Sequence, residues 1–442
     1  MGGRVGNGSG PVSVFTFATA SIHIEHCGYL VPCKVVRGLG KQRVMRDLSV
    51  SAIIAGLIAV IISYAGPSAI VFQAANAAGL SHGAISSWIG AISIGSGVAA
   101  IVLSLVYRAP VITAWSTPGA ALLVLALPQT PYPEAIGAFV FAAAVCTLIG
   151  VSGLFDTVVS RIPTAIAAAM LAGILFHFGA QIFEQFSISP WFVGTMILGY
   201  LLVKRMSPRY AITVVLIIGL VVAYVDGDVH TQSLSLDFAT PVFTAPVFSW
   251  KTLVSLGIPL ALVTLTGQFV PGVAVLRTFG YQTPSNPLVW VTSIISLGLA
   301  PFGSHGVNLA AITAAICSGH EAHPDPSKRY IAGVALGVFY VIAGVFGATL
   351  VGLFAALPKT MIATLAGLAL LGAIANGMTT AMSDERSRES ALITFLVTAS
   401  GATFLGLGSA FWGLVLGLIS HAILNLALVR VRPQRTALPQ KE

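Results

Sequence analysis

Two short runs combine turn-forming residues, a helix start and polar side chains inside otherwise apolar surroundings: Ala109 to Gly119 (APVITAWSTPG) and Pro301 to Asn308 (PFGSHGVN). Pro110 and Pro118 oppose a continuous helix through the first run. Thr117 followed by Pro118 reads as a helix N-cap with proline at the first helical position, where its missing N–H costs nothing. The residues before it, rich in Val, Ile, Thr and Trp, read as extended. The second run repeats the plan, with Gly303-Ser304-His305-Gly306 as the break and a half-helix starting at Val307. Helix starts carry free N–H groups and the positive end of the helix dipole, so two of them aimed at one place make a seat for an anion.

His305 is the ionisable residue within a break. An anion arriving beside it would bring a proton onto the imidazole, which makes His305 the proton-coupling candidate; the plainer alternative is that it hydrogen-bonds the broken backbone. Ser68 and Gln73 lie near Pro67, Gln268 lies near Pro271, and Asn308 follows the second break. Such side chains contact substrate or satisfy carbonyls freed by a proline. Phe72, Trp115, Phe269 and Phe302 could wall a ring, the alternative being aromatics that face lipid or mark the membrane interface. The candidate binding set is Ser68, Phe72, Trp115, Ser116, Thr117, Gly119, Gln268, Phe302, Ser304, His305, Gly306 and Asn308. His177, Gln181 and Asn376 are assigned to interhelical hydrogen bonds. Every Asp and Glu falls at a segment end, in a loop or in a tail, so no mid-membrane acid offers itself for proton coupling. The sequence has no phosphate-binding loop, no catalytic constellation and no cofactor motif, and it reads as a non-enzyme. The run from Cys317 to Arg329 contains His320, Glu321, His323 and Asp325, but its prolines suit an ordered turn better than a metal site.

The elements that must position these residues are membrane helices. Of 442 residues, 56% are hydrophobic and 8% charged, against about 25% charged in soluble domains; this excludes a soluble enzyme and a nucleic-acid binder. Runs of about twenty apolar residues, rather than alternation, exclude an outer-membrane barrel. Apolar segments fall at 48–72, 83–107, 110–127, 133–155, 163–183, 190–203 and 209–225, then at 252–276, 287–300, 304–317, 330–356, 359–382, 389–406 and 409–429. The domain plan is a cytoplasmic tail (1–47), seven spans (48–225), a periplasmic loop (226–251), seven more spans (252–429) and a second cytoplasmic tail (430–442). Met45 could itself begin a membrane protein, so residues 1–44 are read as dispensable. With both termini inside, the loop cations Arg108, Arg161, Lys204, Arg205, Arg209, Arg277, Lys328, Arg329, Arg386 and Arg388 fall in the cytoplasm, and Lys251 and Lys359 fall outside. Much of the formal charge of +8 is therefore membrane topology.

Seven is odd, so the second set must run opposite to the first. Matching traces occur in order: Tyr64–Val71 with Phe269–Val275, Ser116–Gly119 with Gly303–Gly306, and Ile149–Gly153 before Pro163 with Ala343–Gly347 before Pro358. The fold class is thus an all-α polytopic membrane protein of fourteen segments, a 7+7 inverted repeat with discontinuous third and tenth segments, the mark of alternating-access transporters.

The stretch Ala300–Cys317 (APFGSHGVNLAAITAAIC), followed by HEAHPDP at 320–326, resembles the signature of the bacterial benzoate:proton symporter family (BenE), and Thr113–Ala121 (TAWSTPGAA) is similar to that family's other characteristic run. The resemblance covers Met45 to about Leu428. It implies import of benzoate with a proton across the inner membrane for aromatic catabolism. It also implies the fold of the nucleobase and sulphate transporters, with a core domain (spans 1–4 and 8–11) and a gate domain (spans 5–7 and 12–14). Those relatives often use an acid in or near the eighth span, where Gln268 stands here, so an acid-based mechanism does not carry over. The expected partners are benzoate or a similar aromatic carboxylate, a proton and membrane lipid, with no nucleic acid, and the reading leaves room for a homodimer. The rival readings are an anion channel and a transporter of another small organic anion or a nucleobase.

Overall fold

The computed structural model of the protein describes residues 47–228 and 236–425. The expectations for the tails and part of the 226–251 loop lie outside the described residues. Helices dominate because a chain immersed in hydrocarbon must satisfy each backbone N–H and C=O internally. In chain order they are α1 (Val50–Ala65), α2 (Pro67–Ala77), α3 (His82–Tyr107), α4 (Thr117–Ala126), α5 (Tyr132–Val151), α6 (Phe155–Arg161), α7 (Thr164–Ile188), α8 (Pro190–Met206) and α9 (Ala211–Val225). They continue as α10 (Trp250–Thr278), α11 (Ser285–Leu299), α12 (Ile312–Ser318), α13 (Tyr330–Val345), α14 (Gly347–Ala355), α15 (Lys359–Met382), α16 (Arg388–Ala399) and α17 (Ser409–Asn425). Eight described helical stretches are long and apolar enough to cross a membrane: α1 with α2, α3, α5, α7, α10, α11 with the short turn after it, α13 with the turn before it, and α15.

Each of the fourteen apolar segments contains helix, with local departures. Gly66 and Pro67 divide the first into α1 and α2. Phe346 divides the eleventh into α13 and α14. The thirteenth ends at Ala399 rather than 406, because the chain turns at Gly401 and Gly406, both at positive φ. Helix α10 stays continuous but widens into π-helical turns at Leu253–Gly257 and Leu265–Phe269.

Helix pairing repeats with roles exchanged. Helix α3 packs along α13, and α5 packs along α11; α7 lies against α15, α8 against α9, and α16 against α17. Small residues allow the first of these approaches: a Cβ at Gly90 would lie 3.1 Å from the Gly344 carbonyl, and one at Gly344 would lie 3.0 Å from the Gly90 carbonyl. Gly and Ala at helix contacts are the usual way membrane helices gain packing energy, since lipid offers no hydrophobic incentive to associate. An extended segment, 236–249, lies across the ends of this group. Ala239 N–H donates to Val345 C=O (2.8 Å), Thr244 N–H to Pro301 C=O (2.8 Å) and Val247 N–H to Pro133 C=O (2.9 Å).

Candidate functional site

The third and tenth segments are both broken, and their extended parts pair with each other. Strand β1 (Thr113–Trp115) runs antiparallel to β2 (Val307–Leu309), with Thr113 opposite Leu309, Ala114 opposite Asn308 and Trp115 opposite Val307. Pairing is what makes unwound backbone tolerable among buried helices, because a peptide group left unpaired there costs several kcal/mol. Neighbours complete it. Ala310 N–H donates to Ile112 C=O (2.9 Å), Thr113 Oγ1 donates to Ser96 C=O (2.5 Å), and Val307 N–H donates to Ser296 Oγ (2.7 Å).

Two boundaries move from their expected places. Ser116, not Thr117, is the N-cap of α4; its Oγ accepts from Gly119 N–H at 3.0 Å, and Thr117 and Pro118 are the first helical residues. The half-helix expected from Val307 starts only at Ile312, since residues 307–309 are taken up by the strand. Left-handed glycines, Gly303 (φ 98°) and Gly306 (φ 149°), turn the chain into β2.

The two helix starts differ. At α4, Pro118 has no N–H, Gly119 donates to Ser116 Oγ, and Ala120 donates to Ser116 C=O (2.8 Å). At α12 no side chain caps the start, and the N–H groups of Ile312, Thr313 and Ala314 have no acceptor among the described residues.

Both starts line a single cavity of about 880 Å³, within the range of about 300–1,000 Å³ typical of small-molecule sites. Trp115, Thr117 and Pro118 contribute from the first break, and Ala311, Ile312 and Thr313 from the second. Thr266, Gly267 and Gln268 come from the π-helical turn of α10, and Ser63 and Pro67 from the α1–α2 break. Leu171, Lys204, Ile212, Gly372, Asn376 and Thr380, from α7, α8, α9 and α15, form the opposite wall. Ile312 is 73% exposed although its neighbours Thr313 and Ala314 are buried, because its side chain faces this space. The wall is mainly apolar with scattered hydroxyl and amide groups, and Lys204 is its one ionisable cation among the described residues.

Of the expected binding set, Trp115, Thr117 and Gln268 line this cavity. Trp115 sits edge-on to Tyr64 (5.2 Å) and Tyr340 (5.7 Å), and its Nε1–H has no partner among the described residues. The others lie behind it. Ser68 Oγ donates to Tyr64 C=O, and Phe72 stacks on Phe354 (4.1 Å), so both are engaged in packing α2. Ser116 and Gly119 build the cap. Phe302 packs against Phe243 (5.9 Å), and its carbonyl accepts from Ser87 Oγ (3.0 Å). Ser304 is buried with an unpartnered Oγ. His305, Gly306 and Asn308 border a separate void of about 10 Å³ with Ser293, Ser296 and Thr264, about the room one water needs.

His305 bridges the two breaks from this rear position. An indole N–H can only donate and a carbonyl can only accept, so the roles of both ring nitrogens are fixed: Trp88 Nε1–H donates to Nδ1 (3.1 Å), and Nε2–H donates to Ser116 C=O (3.0 Å). The plainer alternative, a histidine that holds the broken backbone, describes these contacts.

Other expectations change. His177 and Gln181 bond within one helix, the Gln181 amide donating to His177 Nε2 (3.2 Å), rather than between helices; they are one turn apart on α7. Asn376 lines the cavity. It falls with Gly372 and Thr380 at four-residue spacing, a helical stripe that periodicity alone could have revealed. The 317–329 run is an ordered turn: Arg329 donates to the carbonyls of His323 (2.7 Å) and Ser318 (2.8 Å), and Asp325 accepts from Ser327 N–H (2.9 Å).

Comparison with known proteins agrees with this arrangement. The family model for the benzoate membrane transport protein matches residues 46–423. The benzoate membrane transport protein of Acinetobacter baylyi is 48% identical over 379 residues, covering 86% of this chain and 96% of the relative. The inner membrane protein YdcO of Escherichia coli is 45% identical over 380 residues, covering 86% and 97%. Among solved structures, the anion transporter SLC26A9 superposes with a TM-score of 0.59 at 14% identity, over 86% of this chain and 66% of that one. The transmembrane domain of the cyanobacterial bicarbonate transporter BicA superposes with a TM-score of 0.54 at 16% identity, over 86% and 97%. The fold is thus shared with anion transporters. At these identities and this coverage, the chain belongs to the benzoate membrane transport family, a family of multi-pass membrane transport proteins and not of enzymes.

Proposed function

We propose that this protein is a secondary transporter that imports benzoate, or a closely similar aromatic carboxylate, with a proton across the bacterial inner membrane. The observation that carries the reading is the single cavity onto which both strand–helix breaks open. Its apolar walls suit a ring, and the unpaired N–H groups at the start of α12 suit a carboxylate. The names of the relatives support benzoate as the substrate.

Transport requires the cavity to open alternately to each side. Fourteen spans in a 7+7 inverted repeat would supply that motion, with a core of spans 1–4 and 8–11 moving against a gate of spans 5–7 and 12–14. The exchanged helix pairs support the repeat, and the walls of the cavity divide along the same line. The cavity extends to Val159, Ile162, Pro208 and Thr380, near the helix ends that carry Arg161 (end of α6), Arg205 (last turn of α8), and Arg386 and Arg388 (around the start of α16). By the positive-inside rule this is the cytoplasmic face, so the conformation is inward-open and both termini are cytoplasmic. For His305 to carry the proton, Nδ1 must first release the Trp88 indole N–H that occupies it, while Nε2–H can stay on Ser116; proton coupling through it is therefore tied to a change around the second break.

The test is uptake of labelled benzoate into proteoliposomes. An inside-alkaline gradient should drive saturable accumulation that ring-substituted benzoates compete for and nucleobases and sulphate do not. Uptake that only equilibrates, without counterflow, would assign a channel instead. His305→Asn should lose the pH-driven component if His305 carries the proton; undiminished accumulation removes it from that role.

A further inference from the structure

The cavity wall holds one formal charge among the described residues, on Lys204, and no carboxylate lines the space with it. Lys204 lies in the last turn of α8, its Nζ 5.5 Å from the centre of the Tyr200 ring one turn earlier. The ring is buried, and both residues line the cavity. On the neighbouring helix, Nζ lies 4.0 Å from where a Cβ on Gly372 would stand, so the ammonium sits beside a glycine of α15 at the cavity wall that both residues line. Asn376, one helical turn further along α15, lines the same stretch. Arg205 is the adjacent cation on α8 and does not line the cavity.

We infer that Lys204, Tyr200 and Asn376 form a second carboxylate subsite on the α8–α15 wall, which receives an aromatic monocarboxylate before it reaches the strand–helix breaks or after it leaves them. This rests on the reading of the protein as a carboxylate transporter and extends it to the opposite wall. The ammonium supplies the counter-charge, the Asn376 amide a neutral donor, and the Tyr200 ring a face for the aromatic ring. Placed near the cavity's end, a single cation raises the local concentration of anions and selects against neutral and cationic solutes.

The experiment is benzoate binding to the purified full-length protein by calorimetry, at low and high NaCl, for the wild type, K204Q, K204R and R205Q. The expected result is a Kd raised about tenfold in K204Q, the worth of one charge-assisted hydrogen bond. The salt dependence should flatten in K204Q, remain in K204R, and be unchanged in R205Q. A readout free of variants is amine acylation followed by mass spectrometry, in which benzoate should protect Lys204 and leave Lys328 labelled as before. Wild-type-like affinity and salt dependence in K204Q, an equal loss in R205Q, or no protection of Lys204 would overturn the subsite and leave the transporter reading standing. Failure of the wild type to bind benzoate would overturn both.

Discussion

The two broken segments reach the same cavity by different chemistry. The first enters its strand from Arg108, at φ 48°, and starts its helix with a side-chain cap and a proline, so its free N–H groups are nearly used up. The second enters through two left-handed glycines and starts a shorter helix with no side-chain cap, leaving three N–H groups of the first turn without acceptors among the described residues. Sequence symmetry suggests an anion held equally from both sides. The structure assigns different work to the halves: the first break is self-contained and supplies a firm wall, and the second keeps its donors open.

The comparison breaks most readily at the glycine hinge. Gly303→Ala adds a Cβ 2.9 Å from both Trp88 Cβ and Tyr132 Oη, at φ 98°. It should cost about 2–3 kcal/mol or more, combining backbone strain with steric conflict, and appear as a lower thermal midpoint and reduced folded yield. Tolerance of alanine there would show that the second break does not depend on a left-handed turn.

Thr313→Pro sharpens the contrast, because it copies into the second helix the proline that Pro118 already places at the equivalent position of the first. The N–H it removes has no acceptor among the described residues. Stability should therefore change little, while benzoate affinity falls about tenfold. Ser116→Ala does the reverse. It removes a cap worth about 1 kcal/mol and should lower the melting temperature with little change in affinity. If the two variants affected affinity alike, the halves would be equivalent after all.

The smallest effect lies outside the membrane, in the turn that follows α12. Hydrogen bonds from the Ser327 hydroxyl and N–H hold the Asp325 carboxyl below its usual range. A depressed value means that the contribution to order is present above the ordinary carboxylate range and is lost as pH falls through the lowered one. Hydrogen-exchange protection in residues 319–329, taken relative to the intrinsic rate at each pH, should fall on acidification below that range, and Asp325→Asn should remove this change in protection.

Much of this fold was legible because hydrocarbon imposes simple rules. Apolar run length located the helical segments, and Pro110, Pro118 and Gly303 to Gly306 marked the breaks. Strand pairing was not legible: whether Val307–Leu309 continues as helix or pairs with Thr113–Trp115 depends on a partner almost two hundred positions away. Which of the expected site residues line the cavity was not legible for a related reason. Ser68, Phe72 and Phe302 have the right types near the right prolines, but periodicity within one segment cannot say which face meets the cavity and which meets a neighbouring helix. Lys204 was read as a topology signal, which its loop-end position justified, and Asn376 as helix–helix glue. That α8 and α15 bring both to the wall of one cavity is visible only in three dimensions.

The most direct test of a shared carboxylate site is the location of bound substrate. Anomalous diffraction from the protein saturated with 4-bromobenzoate, used once it is shown to compete with benzoate, should put the bromine inside the cavity bounded by Trp115, Gln268 and Ile312, with the carboxylate turned toward Thr313 N–H. A fully occupied ligand elsewhere, with this cavity empty, would contradict the account.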